Sequence, residues 1–312
     1  MRVLTEEEVR ALVGPGLALA VTKEALVAQA TGAVSQPDPW HLELPEVRGE
    51  VHIKGAHLHG ATHFAAKLAT GFYANAAKGL PVSSGLSVIA NAETGFPEVI
   101  ALDNGYLTEL RTGAAGAAAT EALSRPDAAV VAVIGPGAQA RYQLRALLEV
   151  RAPVELRVHG RDPERAAVFA EEMRGLHDWR VVVAPAAEAA VRGADIVHTV
   201  TPSREPVLSG AWLSPGAHVT AVGADMAGKR ELDAAVLEGA DVVAADDVRQ
   251  CRAIGELQYA ARRPAVALGD VIAGRAPGRT SPGQITVADL TGLGAEDAAI
   301  GTALARALAS GT

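Results

Sequence analysis

The chain has 312 residues, of which 49% are hydrophobic, 21% are charged and 4% are aromatic. This length is ample for a buried core and typical of about two domains, and the composition excludes collagen-like and disordered proteins. The 28 basic and 36 acidic residues leave a formal charge of −8, which would repel a phosphate backbone and argues against nucleic acid as a partner.

The N-terminal segment and the cysteine content predict a cytoplasmic protein that has no membrane partner. The single cysteine, Cys251, cannot form an internal disulfide, so no oxidising compartment is implied. Glutamates at positions 6–8 precede the first apolar run, and Gly14-Pro15-Gly16 interrupts it. Neither a signal peptide nor a membrane-spanning helix fits such a segment.

The first third of the chain mixes helical and extended patterns. Helical spacing covers Glu6 to Val13 and, after a breaker, Pro15 to Ala30. Residues 47–57 and 82–89 alternate like strands. The alanine-rich run from Leu107 to Ser124 predicts a tightly packed helix.

The middle third alternates short apolar strands with helices. Strands are predicted at Ala128–Ile134, 155–158, 180–183, 195–200 and 218–222, and helices at 141–150, at 163–174 and in a short stretch ending near Arg192. This alternation indicates a parallel sheet covered on both faces. The tail from Ala288 onward is predicted to be a long amphipathic helix that ends at the C-terminus.

A glycine-rich segment between the first of these strands and its helix is typical of dinucleotide binding. It reads Gly135-Pro136-Gly137-Ala138-Gln139-Ala140. The first glycine makes the tight turn, the second lets the backbone approach a pyrophosphate, and the small residue Ala140 allows close packing of helix on strand. The predicted cofactor-binding residues here are Gly135, Gly137, Ala138, Gln139 and Ala140. A ligand-free glycine turn is the alternative.

The end of the second strand bears on which dinucleotide binds. NAD sites normally place an acidic residue there, for the ribose 2′-hydroxyl, but Gly160 stands at that position and Arg161 follows it. A missing acid followed by an arginine favours NADP(H), with Arg161 as a cofactor-binding residue. NAD(H) remains possible, since a small shift in register would let Asp162 bind the ribose.

Several segments together resemble the ornithine cyclodeaminase/mu-crystallin family, which also contains an archaeal alanine dehydrogenase and ketimine reductases. They are KGLPVSSGLSVIANAETGFPEVIALD, LTELRTGAAGAAAT, VIGPGAQAR, HTVTPSREPVL, GAHVTAVGADMAGKREL and LGDVIAGRAPGRTS. The resemblance implies an α/β protein with a Rossmann domain, a doubly wound parallel sheet, at residues 117–289. It also implies a smaller α+β domain, for substrate binding and dimerisation, built from residues 1–116 and 290–312. A homodimer is expected.

The resemblance implies hydride exchange between a nicotinamide and the α-carbon of an amino or imino acid. Such a substrate brings a carboxylate, which a guanidinium grips with two parallel hydrogen bonds. Arg111 matches the family's arginine in this role, and Lys67 matches its active-site lysine. Burial beside Arg111 would lower the pKa of Lys67 towards neutrality, as acid–base work requires. The alternatives are a surface salt bridge for Arg111 and a strand lysine that reaches solvent for Lys67.

Asp225 follows the strand 218–222, and ligands of open α/β sheets bind at that edge. In the cyclodeaminases the matching aspartate activates water or moves a proton at the imine carbon, so Asp225 and Lys67 are the predicted catalytic residues. An N-cap for the helix over 231–237 is the alternative for Asp225. Thr201 and Ser203, which follow another strand, and Gly223 are expected to bind the cofactor.

Two departures from the family pattern favour a ketimine reductase or an amino-acid dehydrogenase. Cyclodeaminases that use ornithine carry an acid thirteen residues before the catalytic lysine, where this chain has Lys54. Lys54 would repel a distal ammonium and is instead a candidate for substrate binding. The apparent NADP(H) preference is the second departure. Ornithine cyclodeaminase is the first alternative, and a non-catalytic NADP(H)-binding protein of the mu-crystallin type is the second.

Four histidines, at positions 52, 57, 59 and 63, crowd into one short stretch. Structural zinc sites usually recruit cysteine, and none lies nearby. His52 and His57 would point to opposite faces of a regular strand. No metal site is therefore predicted, and these histidines are interpreted as active-site polarity or as hydrogen-bonded strand residues.

Overall fold

A computed structural model describes residues 1–310, and the chain divides into two compact units. The first unit comprises Met1–Arg111 and the C-terminal segment from Leu293, and the second comprises Thr112–Gly292. Within residues 1–310 no single helix is long and apolar enough to cross a bilayer, although the helices 6–12 and 15–30, bent by 78° at their junction, pass that test as a pair on length and composition.

The secondary structure follows the chain from an N-terminal strand to a C-terminal helix. In order, the elements are β1 (Arg2–Thr5), α1 (Glu6–Leu12), α2 (Pro15–Ala30), β2 (Val34–Ser35), β3 (Trp40–Leu44), β4 (Gly49–Leu58), β5 (His63–Phe72), β6 (Ser83–Asn91), β7 (Pro97–Leu102), α3 (Tyr106–Leu123), β8 (Val130–Ile134), α4 (Ala138–Leu147), β9 (Glu155–His159), α5 (Pro163–Arg174), β10 (Arg180–Val183), α6 (Ala187–Val191), β11 (Ile196–Thr199), β12 (His218–Ala221), α7 (Ala234–Gly239), β13 (Val242–Ala245), α8 (Val248–Ile254), β14 (Val266–Ala267), α9 (Leu268–Ile272), β15 (Thr286–Asp289) and α10 (Gly294–Ser310).

The first unit is a mixed sheet with helices on one face. Within the described residues its strand order is β1-β7-β6-β5-β4-β2, and β3 also pairs with β4. β1 runs parallel to β7, and the other pairs are antiparallel. α10 packs against β4, β5, β6 and α2. Its first twelve residues, 294–305, are buried on every side.

The second unit is an entirely parallel sheet of eight strands within the described residues. The order is β10-β9-β8-β11-β12-β15-β13-β14. The chain winds outward from β8 to one edge and then returns to β11 on its other side. Ligands of such sheets bind outside the carboxyl ends of the strands, at the point where the order reverses, which here lies between β8 and β11.

Both faces of this parallel sheet are covered, because alternate side chains of each strand enter different cores. Val131 and Val133 pack with α4 and α5, around the fully buried Phe169. Ala132 and Ile134 pack with α6, α7 and α8 in the second core. The predicted fold class, a doubly wound parallel sheet accompanied by an α+β unit, is confirmed.

The predicted tail is wrong in two respects. Thr286–Asp289 forms strand β15 between β12 and β13, and the helix begins only at Gly294. A short, fully buried apolar run has no periodicity that separates strand from helix. The helix is also not amphipathic over residues 294–305, since all of them are buried. The predicted end of the helix at the C-terminus falls on residues 311–312, which lie outside the described residues.

Besides β15, seven strands are absent from the sequence-based prediction: β1, β2, β3, β5, β7, β13 and β14. β1 and β13 have four residues each, too few to establish an alternating pattern. β3 leaves most of its residues exposed, so it lacks the buried positions that a strand pattern depends on.

Candidate functional site

In the second unit, three loops that follow adjacent strands carry the predicted cofactor-binding residues other than Arg161. Gly135 follows β8, Thr201 follows β11 and Gly223 follows β12. These strands are neighbours in the sheet. Because parallel strands end at the same edge, the fold brings the three loops to the carboxyl edge at the reversal point.

The loop between β8 and α4 has the shape that a pyrophosphate requires. Gly135 has a φ of +101°, and a Cβ there would lie 2.8 Å from the Val200 carbonyl oxygen, so no other residue fits. Gly137 precedes the first residue of α4, and a Cβ built on it meets no atom within 4 Å. The backbone is therefore open to a ligand at the helix N-terminus, where amide groups and the helix dipole favour an anion. Ala140 is fully buried and packs in the core beneath.

Gly160 is confined by the same loop. A Cβ on Gly160 would lie 2.6 Å from Cδ of Pro136, so an acidic side chain has no room at the position where an NAD site places one. Arg161 is exposed. Asp162 is the N-cap of α5, and its Oδ1 accepts hydrogen bonds from the amides of Glu164 and Arg165.

The predicted cofactor-binding residues that follow β11 and β12 are held in place by hydrogen bonds within the second unit. Ser203 donates its hydroxyl proton to the Glu205 carbonyl, 2.6 Å away, within its own turn. Thr201 and Gly223 both donate to the carboxylate of Glu231, a residue that the sequence analysis did not select. The sequence carried no signal for this role, because the burial of Glu231 appears only in the folded structure.

Asp225 forms an ion pair rather than a helix cap. Its Oδ1 lies 2.7 Å from Nζ of Lys229, which is buried, while the Asp225 side chain is 38% exposed. The helix α7 begins at Ala234, and its N-cap is Asp233. The N-cap alternative for Asp225 is therefore wrong.

In the first unit, Lys67 and Arg111 belong to one buried ionic cluster. Lys67 lies on β5 and Arg111 on α3, and both are at most 5% exposed. Nζ of Lys67 and Nε of Arg111 each lie 3.0 Å from Oδ1 of Asp297. Nη1 of Arg111 lies 2.9 Å from Oε2 of Glu296. The surface alternatives for Lys67 and Arg111 are therefore wrong.

Burial decides the electrostatics of this cluster. The pKa of Lys67 is lowered to about 7, mainly by burial and then by the positive charges of Arg111 and Lys54, against the opposing effect of Asp297. Lys54 is buried and faces Lys67 directly across the β4–β5 pair. Three cationic side chains thus share a site with two carboxylates, and Lys67 can exchange a proton near neutral pH.

Asp297 and Glu296 were not among the predicted site residues. They open α10, far along the chain from Lys67 and Arg111. Two adjacent acids within an apolar, alanine-rich segment were the available signal, because charges in such a segment need ionic partners. Which cations they meet is decided by how α10 packs on β5.

The crowded histidines form local pairs. His52 and His41 lie side by side on β4 and β3, with their Nδ1 atoms 3.4 Å apart, and Nε2 of His59 lies 3.0 Å from the Ser35 hydroxyl. His57 contacts the Ala61 carbonyl and His63 contacts Glu98. Within residues 1–310, no group of three or more histidine, cysteine, aspartate or glutamate residues is arranged to hold a metal ion.

The fold, the loops at the carboxyl edge of the parallel sheet and the buried ionic cluster around Lys67 and Arg111 together indicate the class of protein. A Rossmann-type parallel sheet with an open glycine loop is typical of proteins that bind dinucleotides, and a buried arginine–lysine pair is suited to a small organic anion. The whole of residues 1–311 matches the model of the ornithine cyclodeaminase/mu-crystallin family. The chain belongs to that family.

Individual relatives match over nearly their full lengths. A Rhizobium meliloti (strain 1021) protein, assigned as a dehydrogenase, is 45% identical over 99% of this chain and 97% of its own. The structure of an archaeal alanine dehydrogenase dimer with bound NAD superposes with a TM-score of 0.91 at 34% identity, covering 99% of this chain and 97% of the other. Thermococcus litoralis Δ1-pyrroline-2-carboxylate reductase, solved with NADH and L-proline, gives 0.93 at 27% identity, covering 100% and 99%.

These findings confirm the family and the prediction that the chain is an enzyme. The relatives also include ornithine cyclodeaminases and an iminosuccinate reductase solved with NAD⁺. Most of these names refer to amino or imino acids, but the named reactions differ: some are redox reactions and others are cyclodeaminations. Membership of the family therefore does not by itself assign the reaction of this chain.

Proposed function

We propose that the protein transfers hydride between a nicotinamide dinucleotide and the α-carbon of an amino or imino acid, as a ketimine reductase or amino-acid dehydrogenase. The observation that carries the proposal is the buried cluster around Lys67 and Arg111. A cyclic imino acid and an α-amino acid share the α-carboxylate that such a pair binds. The bound nicotinamide supplies or accepts the hydride.

The substrate carboxylate binds to the cations of the first unit in this proposal. Arg111 provides a planar guanidinium that is charged at every physiological pH, and Glu296 and Asp297 hold it in place. Lys67 provides a second, titratable cation. Because the whole cluster is buried, its attraction for an anion is screened less than at the surface.

Asp225 moves the proton that accompanies the hydride. Reduction of an imino acid places a hydride on the α-carbon and leaves the nitrogen with one more proton than the neutral imine had. Amino-acid oxidation releases that proton again. The ion pair with Lys229 orients the Asp225 carboxylate from one side and leaves it partly exposed, so it is the acid–base candidate of the second unit.

Lys54 favours this redox reaction over ornithine cyclodeamination. Lys54 is buried and directly opposite Lys67 in the sheet, so a substrate with a second ammonium would add a positive charge to an already cationic site. A neutral or acidic side chain avoids this cost. Ornithine cyclodeaminase remains the second candidate, because the aspartate that the resemblance assigns to water activation is present as Asp225.

The proposal is tested by following nicotinamide absorbance with a panel of substrates. We expect oxidation of NADPH or NADH with cyclic imino acids or with pyruvate plus ammonia, one turnover of cofactor for each product formed. Ornithine with NAD is assayed in parallel for released ammonia. Catalytic amounts of NAD that support many turnovers of ornithine to proline would contradict the redox assignment.

The cofactor is proposed to be NADP(H). The packing of Gly160 against Pro136 leaves no space for a ribose-binding acid at that position, and Asp162 is engaged as a helix cap. Arg161 is exposed next to them and is the residue proposed to bind a 2′-phosphate. The related structures contain NAD or NADH, so this preference would distinguish the present chain from them.

Replacing Arg161 tests the cofactor assignment. In Arg161→Ala the KM for NADPH should rise about 10- to 100-fold, the range for losing a hydrogen bond to a charged group, while the KM for NADH should stay within about twofold. Arg165→Ala, on the exposed side of α5, is the matched control and should change neither value. Equal effects of Arg161→Ala on the two cofactors would disprove the role of Arg161.

The titration of Lys67 should appear in the pH profile. A lysine with a pKa of about 7 is charged below pH 7 and neutral above it. The kcat/KM for the carboxylate substrate should therefore fall by up to about tenfold per pH unit as the pH rises through 7. In Lys67→Arg the cation keeps its proton, so whatever activity remains should not decline between pH 6 and 9. An unchanged profile in that variant would show that another group titrates.

The first unit is also proposed to form a homodimer, as the archaeal alanine dehydrogenase does. Lys54 and Ala56 face α10, so Ile53 lies on the opposite face of β4, where it is 37% exposed. Its paired neighbour Trp40 is 51% exposed, and Phe64 on β5 is 37% exposed. Exposed apolar patches of this kind favour association. Sedimentation velocity at micromolar concentration should show a dimer, and Ile53→Asp should shift it towards the monomer.

A further inference from the structure

Glu231 spans the ends of two neighbouring strands in the second unit. It lies in the extended segment between β12 and α7 and is fully buried. Its Oε1 accepts hydrogen bonds from the Thr201 amide, at 2.6 Å, and from the Thr201 hydroxyl, at 2.7 Å. Its Oε2 accepts from the Thr199 hydroxyl, at 2.8 Å, and from the Gly223 amide, at 2.7 Å.

The Glu231 carboxylate accepts hydrogen bonds from the first backbone amides beyond the end of the β11–β12 ladder. The last ladder bond between β11 and β12 runs from the Val222 amide to the Thr199 carbonyl, at 3.0 Å. One step further, the amides of Thr201 and Gly223 both donate to Glu231 instead. A Cβ on Gly223 would lie 2.6 Å from Cδ of Glu231, so only glycine lets the strand end reach the carboxylate.

Glu231 is itself fixed by a second buried carboxylate. Its amide donates to Oε1 of Glu256 at 2.6 Å, and the Leu232 amide donates to Oε2 at 3.2 Å. The amides of Glu256 and Leu257 donate in turn to the two oxygens of Asp289, at 3.0 and 2.9 Å. Asp289 ends β15, the neighbour of β12. The position of Glu231 is thus tied to the rigid sheet.

We propose that Glu231 is a positioning residue for dinucleotide binding, because it sets the geometry of the Thr201 and Gly223 loops. The inference rests on the proposed function, which assigns those two loops to the cofactor. Glu231 accepts four hydrogen bonds, three of them from Thr201 and Gly223. It therefore acts on the dinucleotide through these two residues. A glutamine of the same shape would turn an NH2 group towards two of these donors, which moves the loops apart without opening a cavity.

The test is Glu231→Gln, measured by fluorescence titration with NADPH and NADH and by steady-state kinetics on the full chain. The Kd for the dinucleotide should rise about 10- to 100-fold, the range for lost hydrogen bonds to a charged group. At saturating dinucleotide, the KM for the amino or imino acid should stay within about threefold of wild type. If Glu231 had a purely structural role, the dinucleotide Kd and the KM for the amino or imino acid would change by similar factors.

Asp246→Asn is the matched control. Asp246 is equally buried and accepts the amides of Thr291 and Gly292, without contacting Thr201 or Gly223. It should lower the melting temperature by a similar amount and leave the dinucleotide Kd within about threefold. If both variants weaken dinucleotide binding equally, the positioning role is disproved.

A milder variant covers the case in which Glu231→Gln does not fold. Thr199→Val removes one donor to Oε2 and should raise the dinucleotide Kd about three- to tenfold. An unchanged Kd in that variant would overturn the inference. Wild-type protein that binds neither NADPH nor NADH would instead overturn the proposed function itself, so the two failures are distinguishable.

Discussion

A buried charge needs a partner of opposite charge, and this requirement determines how the helix α10 packs against the sheet of the first unit. Lys67 and Arg111 are both desolvated, and each would be too costly to bury alone. Oδ1 of Asp297 serves both cations, and Glu296 adds a second contact to Arg111. Since these acids open α10, the helix that covers the sheet also supplies the counter-charges. The packing of α10 on the sheet therefore also compensates the charges of the two cations that are proposed to bind the substrate carboxylate.

The second unit meets a similar requirement at the carboxyl edge of its parallel sheet. Where strands end, amide groups lose their ladder partners and must find others. Here the carboxylate of Glu231 accepts the amides of Thr201 and Gly223, and Glu256 and Asp289 hold Glu231 in place through further backbone amides. Burial is the largest of the causes that raise the pKa of Glu256 to about 8 and that of Asp289 to about 7. The loops proposed to hold the cofactor rest on these groups.

In the proposed function, the choice among the family's reactions depends on a few charges near Lys67 and Arg111. A carboxylate is common to alanine, proline and ornithine, so Arg111 and Lys67 do not discriminate among them. Lys54 is proposed to discriminate, because it is a further buried cation opposite Lys67 and a distal ammonium would add positive charge there. The contact between Pro136 and Gly160 is proposed to influence the choice of cofactor, because it excludes an acidic side chain at position 160.

The motifs alone determined the family, the doubly wound sheet, the glycine loop and the candidate roles of Lys67, Arg111 and Asp225, because these depend on local spacing and residue type. Strand β15 was mistaken for helix, since a short buried apolar run carries no period of its own. The partners of the buried charges were likewise out of reach. Asp297 is 186 residues from Arg111 along the chain, and Glu231 meets Thr201 only because β11 and β12 end side by side. Such contacts arise from how helices and strands pack, so only the tertiary structure decided them.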